Sequence, residues 1–109
     1  MEFLNQNIDL VVYKQPVNMH RSFNGLVSLA ITELELDLSE KTYILFMNRK
    51  RNQFKILFQN LGQITIYTMR IFGSMQMDFT KIDKINTRDL RNLIFNAKCR
   101  NRLKHILEE

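Results

Sequence analysis

Tryptophan is absent, proline and cysteine each occur once, histidine twice and glycine three times in this 109-residue chain. Each scarcity removes a class of function. A single Cys99 cannot close an internal disulfide, and neither a second Cys nor a His stands at a metal-ligand spacing from it. It reads as a structural thiol in a reducing compartment, and no metal site is expected. The longest apolar runs, YILFM and LVSLAI, are far short of the ~20 residues of a membrane-spanning helix. The opening MEFLNQNIDL also has neither the basic start nor the long apolar stretch of an export signal. A soluble cytoplasmic protein is the expectation.

The sequence also lacks the patterns that catalysis leaves. His20 and His105 are the only histidines, and neither belongs to an HxH or HExxH spacing. His20 reads as a surface residue of the first helical turn. There is no GxGxxG, no Walker-type loop and no nucleophile elbow. The carboxylates cluster between Glu33 and Glu40 without a histidine or a glycine-rich partner that would place a metal or a phosphate. Phosphodiester cleavage with two metals needs acids on several strands of a longer fold. The chain therefore reads as a binding protein with no cofactor and no small-molecule substrate, not as an enzyme. A small nuclease or toxin is the remote alternative.

What is present is core material and positive charge. Hydrophobic residues make up 45% of the chain, eight of them Phe, and the formal net charge is +5. That suffices for one core and one domain spanning 1–109. The charge is divided unevenly. Residues 1–40 hold two basic against six acidic residues, net −4, whereas residues 41–109 hold fourteen against five, net +9. Such polarity suits a protein that turns one side to polyphosphate and the other to a protein partner.

The segment IDLVVY, closed by Pro16, reads as a strand. Asn18 is placed as a helix N-cap, and Met19, Phe23, Leu26, Val27, Ala30 and Leu34 follow at helical steps, which predicts a helix over about 19–34. Gly25 inside it suggests the close approach of another backbone. Carboxylates of the acidic stretch from Glu33 to Glu40 oppose the helix dipole and should end the helix near Leu34. TYILFMN, FKILFQ and QITIYTMRI then predict a three-stranded antiparallel meander over Thr42–Ile71, with Gly62 at a turn of positive φ. In the last strand Ile64, Ile66 and Thr68 share one face and Thr65, Tyr67 and Met69 the other. GSMQMDFTKID is irregular or a short extra strand. A second helix starts at Asn86 or Thr87, and about 98–109 is either a further turn of helix or a frayed basic tail. The class is α+β: the meander plus an N-terminal strand, packed with an N-terminal and a C-terminal helix. The first helix covers one sheet face with Phe23 buried, and the other face is amphipathic.

Two clusters could meet an anionic partner. Arg49, Lys50 and Arg51, with Lys55 close behind, fall at the tip of the first hairpin, where cations on a projecting ribbon can reach phosphates or a major groove. A solvated turn is the plainer account of the same residues. Lys98, Arg100, Arg102 and Lys104 with His105 form the second cluster.

Two stretches together resemble one family. PVNMHRSFNGL, from Pro16 to Leu26, is similar to the Pro-x-Asp-Met-Arg-Lys-x-Phe-Asp-Gly-Leu signature of the small accessory protein encoded by the second reading frame of insertion sequence 66 elements. ILFMNRKRNQFKILFQNLGQITIYTMRI, from Ile44 to Ile71, resembles that family's second signature, with Gly25 and Gly62 as the aligned glycines. Asn18 and Asn24 stand where the family usually has Asp, and His20 where it has Arg. Phe58 and Gln59 replace Tyr-Trp, and the later Gly-x-Phe-x-Trp-Pro is absent. The resemblance implies a bacterial mobile element in which the protein assists a separately encoded transposase, and it implies no catalytic residues. The positions it marks are Met19, Arg21, Phe23, Gly25, Arg49, Arg51, Lys55, Gly62 and Arg70. The nucleic-acid contacts expected are Arg49, Lys50, Arg51, Lys55, Arg70 and Arg21, with the element's DNA ends and its transposase as partners. A protein-interaction module without DNA contact is the rival reading, and a homo-oligomer is compatible with either.

Overall fold

The computed structural model describes residues 6–35, 37 and 39–108, and side chains through residue 97. Strand β1 (Asp9–Val12) leads through helix α1 (Phe23–Glu33) to β2 (Thr42–Met47), β3 (Gln53–Asn60) and β4 (Gln63–Arg70). A short 3₁₀ turn (Phe79–Lys81), β5 (Lys84–Asn86) and helix α2 (Thr87–Glu108) follow. The strands form one sheet in the order β4-β3-β2-β1-β5. No helix among the described residues is long and apolar enough to cross a membrane.

The α+β class and the meander β2–β3–β4 match the expectation, but the sheet is mixed. β1 runs parallel to β2, with Val11 opposite Ile44 and Val12 opposite Leu45. The route between them passes through α1, the kind of crossover that parallel neighbours require. The fifth strand has no counterpart in the sequence pattern. Its three residues are too few to show an alternation, and pairing alone defines it: Leu10 lies opposite Ile85, Val12 N–H donates to the Asp83 carbonyl at 2.8 Å, and Thr87 N–H donates to the Ile8 carbonyl at 2.8 Å.

Helix α1 begins four residues later than its periodicity suggests. Ser22, not Asn18, is the N-cap: its backbone is extended (φ −67°, ψ 164°) and its Oγ accepts the Gly25 N–H at 3.1 Å. Asn18 uses its side chain in a tight turn of its own, accepting the His20 N–H at 2.8 Å. Val17 N–H is meanwhile held by the Met47 carbonyl at 2.9 Å, which keeps the chain extended beside β2. The helix does end at Leu34. At Gly25 the close neighbour is no second backbone. A Cβ there would stand 2.8 Å from Arg21 Cγ and 3.3 Å from Ser22 Oγ, so the glycine makes room for the turn that opens the helix.

Both sheet faces are covered, which corrects the expectation of one amphipathic face. Leu26 and Ala30 of α1 pack with Tyr13, Val17, Ile44, Phe46 and Leu57 on one side. On the other, Leu90, Ile94 and Ala97 of α2 pack with Leu10, Val12, Leu45, Met47, Phe54 and Ile56. The continuous apolar run of β2 is what a strand buried on both faces requires. Phe23, expected in the core, is 50% exposed. Val17 is buried in the α1-side core and Met19 packs against it, so the connection before the helix supplies the side chains that Phe23 was expected to supply.

Ile64 and Ile66 face the α1 side and Tyr67 and Met69 the α2 side, as the alternation indicates. A two-residue turn joins β3 to β4, with positive φ at Leu61 (53°) and Gly62 (80°), the geometry that matches the twist of a tight hairpin.

Candidate nucleic-acid interface

Because β1 and β2 are parallel, both deliver their carboxyl ends to the same edge of the sheet, beside the N-terminus of α1. In open sheets of this kind the crevice outside the carboxyl ends of the strands is the usual ligand position. Here it is a cleft of about 640 Å³. One wall is the Pro16–His20 connection and the other is the β2–β3 turn from Asn48 to Gln53. Arg70, at the end of β4, completes the lining.

The turn is built by one side chain. Asn48 Oδ1 accepts the N–H groups of Asn52 and Gln53, both at 3.1 Å, and its Nδ2 donates to Asn52 Oδ1 at 2.7 Å. With Arg51 N–H donating to the Asn48 carbonyl at 3.1 Å, the loop closes and leaves Arg49 and Lys50 exposed at its crest. Arg70 pairs across the sheet with Gln53, which brings a third cation to the same edge. His20 lies on the opposite wall. Among the described residues the lining includes no carboxylate.

The six cations expected to touch nucleic acid thus separate into groups. Arg49, Lys50 and Arg70 share the cleft. Arg51 is engaged elsewhere. It adopts φ 57°, its carbonyl accepts the Met75 N–H at 3.0 Å, and its Nη1 donates to the Met77 carbonyl at 2.9 Å. The half-buried guanidinium therefore anchors the segment after β4 and points away from the crest. Lys55 sits on the α1 face of the sheet between Phe46 and Thr68, half-buried and outside the cleft lining. Arg21 is exposed just before the helix cap, also outside the lining. The basic side chains from Lys98 to His105 lie outside the described side chains, although the backbone there continues α2 to Glu108.

The polar residues of the cleft are not legible in the sequence pattern. His20 lies in the turn before α1 and not on the helix, and nothing in the periodicity distinguishes Asn18, Asn52 or Gln53 as cleft residues. A signal exists at Asn48, since an Asn immediately before a short polar turn is the residue type that caps its own backbone.

The acidic stretch occupies the other end of the sheet, where β2 begins. A smaller pocket of about 370 Å³ there is rimmed by Asp9, Glu35, Asp37 and Glu40, with Lys41 and Lys84 beside them. The Ser39 hydroxyl and N–H donate to Asp37 Oδ1 at 2.7 and 2.9 Å, and these bonds hold that carboxyl below the ordinary carboxylate value. Charge of opposite sign is therefore separated along the strand direction, basic where β2 ends and acidic where it begins.

Comparison with curated proteins and with solved structures finds no match for the chain. A family profile does match, over residues 8–93, a stretch that takes in all five strands, α1, both walls of the cleft and the first turns of α2. By that match the chain belongs to the family described as IS66 Orf2 like protein.

Proposed function

We propose that this insertion-sequence accessory protein holds DNA by its phosphates in the cleft outside β1 and β2, and presents its acidic end to the separately encoded transposase. The observation that carries the reading is the convergence of Arg49, Lys50 and Arg70, from two separate segments, on one concave space with His20 and without a carboxylate among the described lining residues. Phosphate contacts of this kind supply affinity and position without reading sequence, and they release counterions, so binding weakens steeply with salt. The crest of the β2–β3 turn is held rigid by Asn48, which limits the conformational entropy lost when its cations are immobilised.

On this reading the protein has no chemistry of its own and no cofactor. Strand cutting belongs to the transposase, and DNA cleavage by the pure protein alone would overturn that part.

The test is duplex DNA binding across a salt series with the full chain and the variant Arg49→Ala/Lys50→Ala/Arg70→Ala. Each lost phosphate contact lowers the slope of log affinity against log salt by about 0.9. An unchanged affinity and slope in the triple variant would remove the cleft as the DNA site. The second reading, a protein-interaction module without DNA contact, is favoured by the acid-rimmed pocket, where carboxylates steer a basic partner. It gains if the protein co-purifies with the transposase and fails to retain DNA at low salt.

A further inference from the structure

β4 is the rim of the sheet, and among the described residues β3 is its one paired neighbour. Two features set the phase of that pairing. The Leu61–Gly62 turn closes on Asn60 opposite Gln63, a position that in a two-residue hairpin exchanges both hydrogen bonds. At the far end, Ile71 N–H donates to the Asn52 carbonyl at 2.8 Å. Both direct the odd-numbered backbone groups toward β3, so those of Ile64, Ile66, Thr68 and Arg70 point outward. Proteins usually blunt such an edge with proline, several charges or a bulge. β4 has no proline, its register with β3 is unbroken from Gln63 to Arg70, and Arg70 is its one charged residue.

We infer that two copies of this chain join through their β4 edges, pairing antiparallel about a two-fold axis at Tyr67. In this register Ile64 faces Arg70 of the second copy and Ile66 faces Thr68, so all four outward residues are engaged. Opposed side chains then lie on matching faces of one continuous sheet; a one-residue slip would set α1 faces against α2 faces. An edge that complements itself forms a closed pair, the commonest arrangement of identical subunits.

Charge selects a second copy in this orientation. Antiparallel pairing keeps the two basic clefts at opposite ends of the joined sheet. It also sets each Arg70 beside Ile64 of the other copy, next to Gln59, whose Nε2 donates to the Asp37 carbonyl at 3.1 Å. The Arg70 of each copy thus approaches the acid-rimmed end of the other, an arrangement that sets unlike charge opposite in a chain of net charge +5.

Sedimentation equilibrium of the full chain is expected to give a dimer, and Thr68→Pro a monomer with unchanged circular dichroism. The Thr68 N–H points away from β3, so proline there removes an intermolecular bond and spares the ladder. Should that variant fail to fold, amide exchange in the unmodified protein decides: the N–H groups of Ile64, Ile66, Thr68 and Arg70 are expected to be protected in the dimer. A monomer with those four amides exchanging freely overturns the inference, as does a dimer that persists in a folded Thr68→Pro. Protection that arises only when transposase is added also overturns it and assigns the edge to that protein. DNA binding by a monomer would leave the cleft reading intact, so the two proposals fail separately.

Discussion

The Tyr13 hydroxyl donates to Glu33 Oε2 at 2.5 Å, tying the residue that follows β1 to the last residue of α1. This bond, seconded by burial, raises the Tyr13 phenol above its ordinary 10.0. A raised value in the folded state means stability that is fully present below pH 10.0 and lost as pH rises through the folded value. Tyr13→Phe should cost about 1 kcal/mol at neutral pH, the value of an ordinary hydrogen bond and less than that of one to a buried charged acceptor, because Glu33 is exposed. The gap between the two proteins should close above pH 10.0, which urea unfolding at a series of pH values would measure.

Phe23 and Leu26 stand three residues apart on α1 with opposite environments, 50% and 1% exposed. Phe23→Ala should therefore cost about 1 kcal/mol, since only half of its surface is withdrawn from water. Leu26→Ala should cost about 2–5 kcal/mol, because it leaves a cavity between α1 and the sheet. Chemical denaturation of both variants checks the orientation of the helix; equal costs would contradict it.

Asn48 is a positioning residue for the cleft. Asn48→Ala removes three hydrogen bonds and should cost about 1–3 kcal/mol, and it should weaken DNA binding because Arg49 and Lys50 lose their rigid mount. Asn48→Asp keeps the acceptor for Asn52 and Gln53 yet places a carboxylate among the cations. Its stability loss should be the smaller and its binding loss the larger, a split that a purely structural role would not produce.

Arg49 and Arg51, two residues apart, should separate the other way. Arg49→Ala should reduce DNA affinity and leave the melting temperature unchanged, as expected of an exposed crest. Arg51→Ala forfeits the bond to the Met77 carbonyl and should cost about 1 kcal/mol with little change in the salt slope. Thermal melts and salt-dependent binding of both variants give the comparison.

In cells carrying a complete element, deletion of this reading frame should reduce transposition sharply. Glu35→Lys with Glu40→Lys should reduce co-purification with the transposase, because both residues rim the acidic pocket. Glu33 is left unchanged in that variant, since its carboxylate holds Tyr13.

What the sequence determined by itself were the features that depend on near neighbours. The meander follows from β-branched and aromatic alternation, the β3–β4 turn from Gly62, the end of α1 from the acidic stretch between Glu33 and Glu40, and the cationic crest from three adjacent basic residues. Tertiary structure alone decided whatever required a distant partner. β1 became parallel to β2, and KIN became a strand, through pairings with segments that no local period reports. Asn18 and Ser22 are both good caps, and the hold of Met47 on Val17 chose between them. Arg51 has the composition of a binding residue, but the carbonyl of Met77 captured its guanidinium. Arg70, remote in the chain from Arg49 and Lys50, joined them because the register of β3 with β4 sets it opposite Gln53. Local propensity is written in side chains a few residues apart, whereas a cleft is made by long-range pairing whose energy exists only once the sheet has closed.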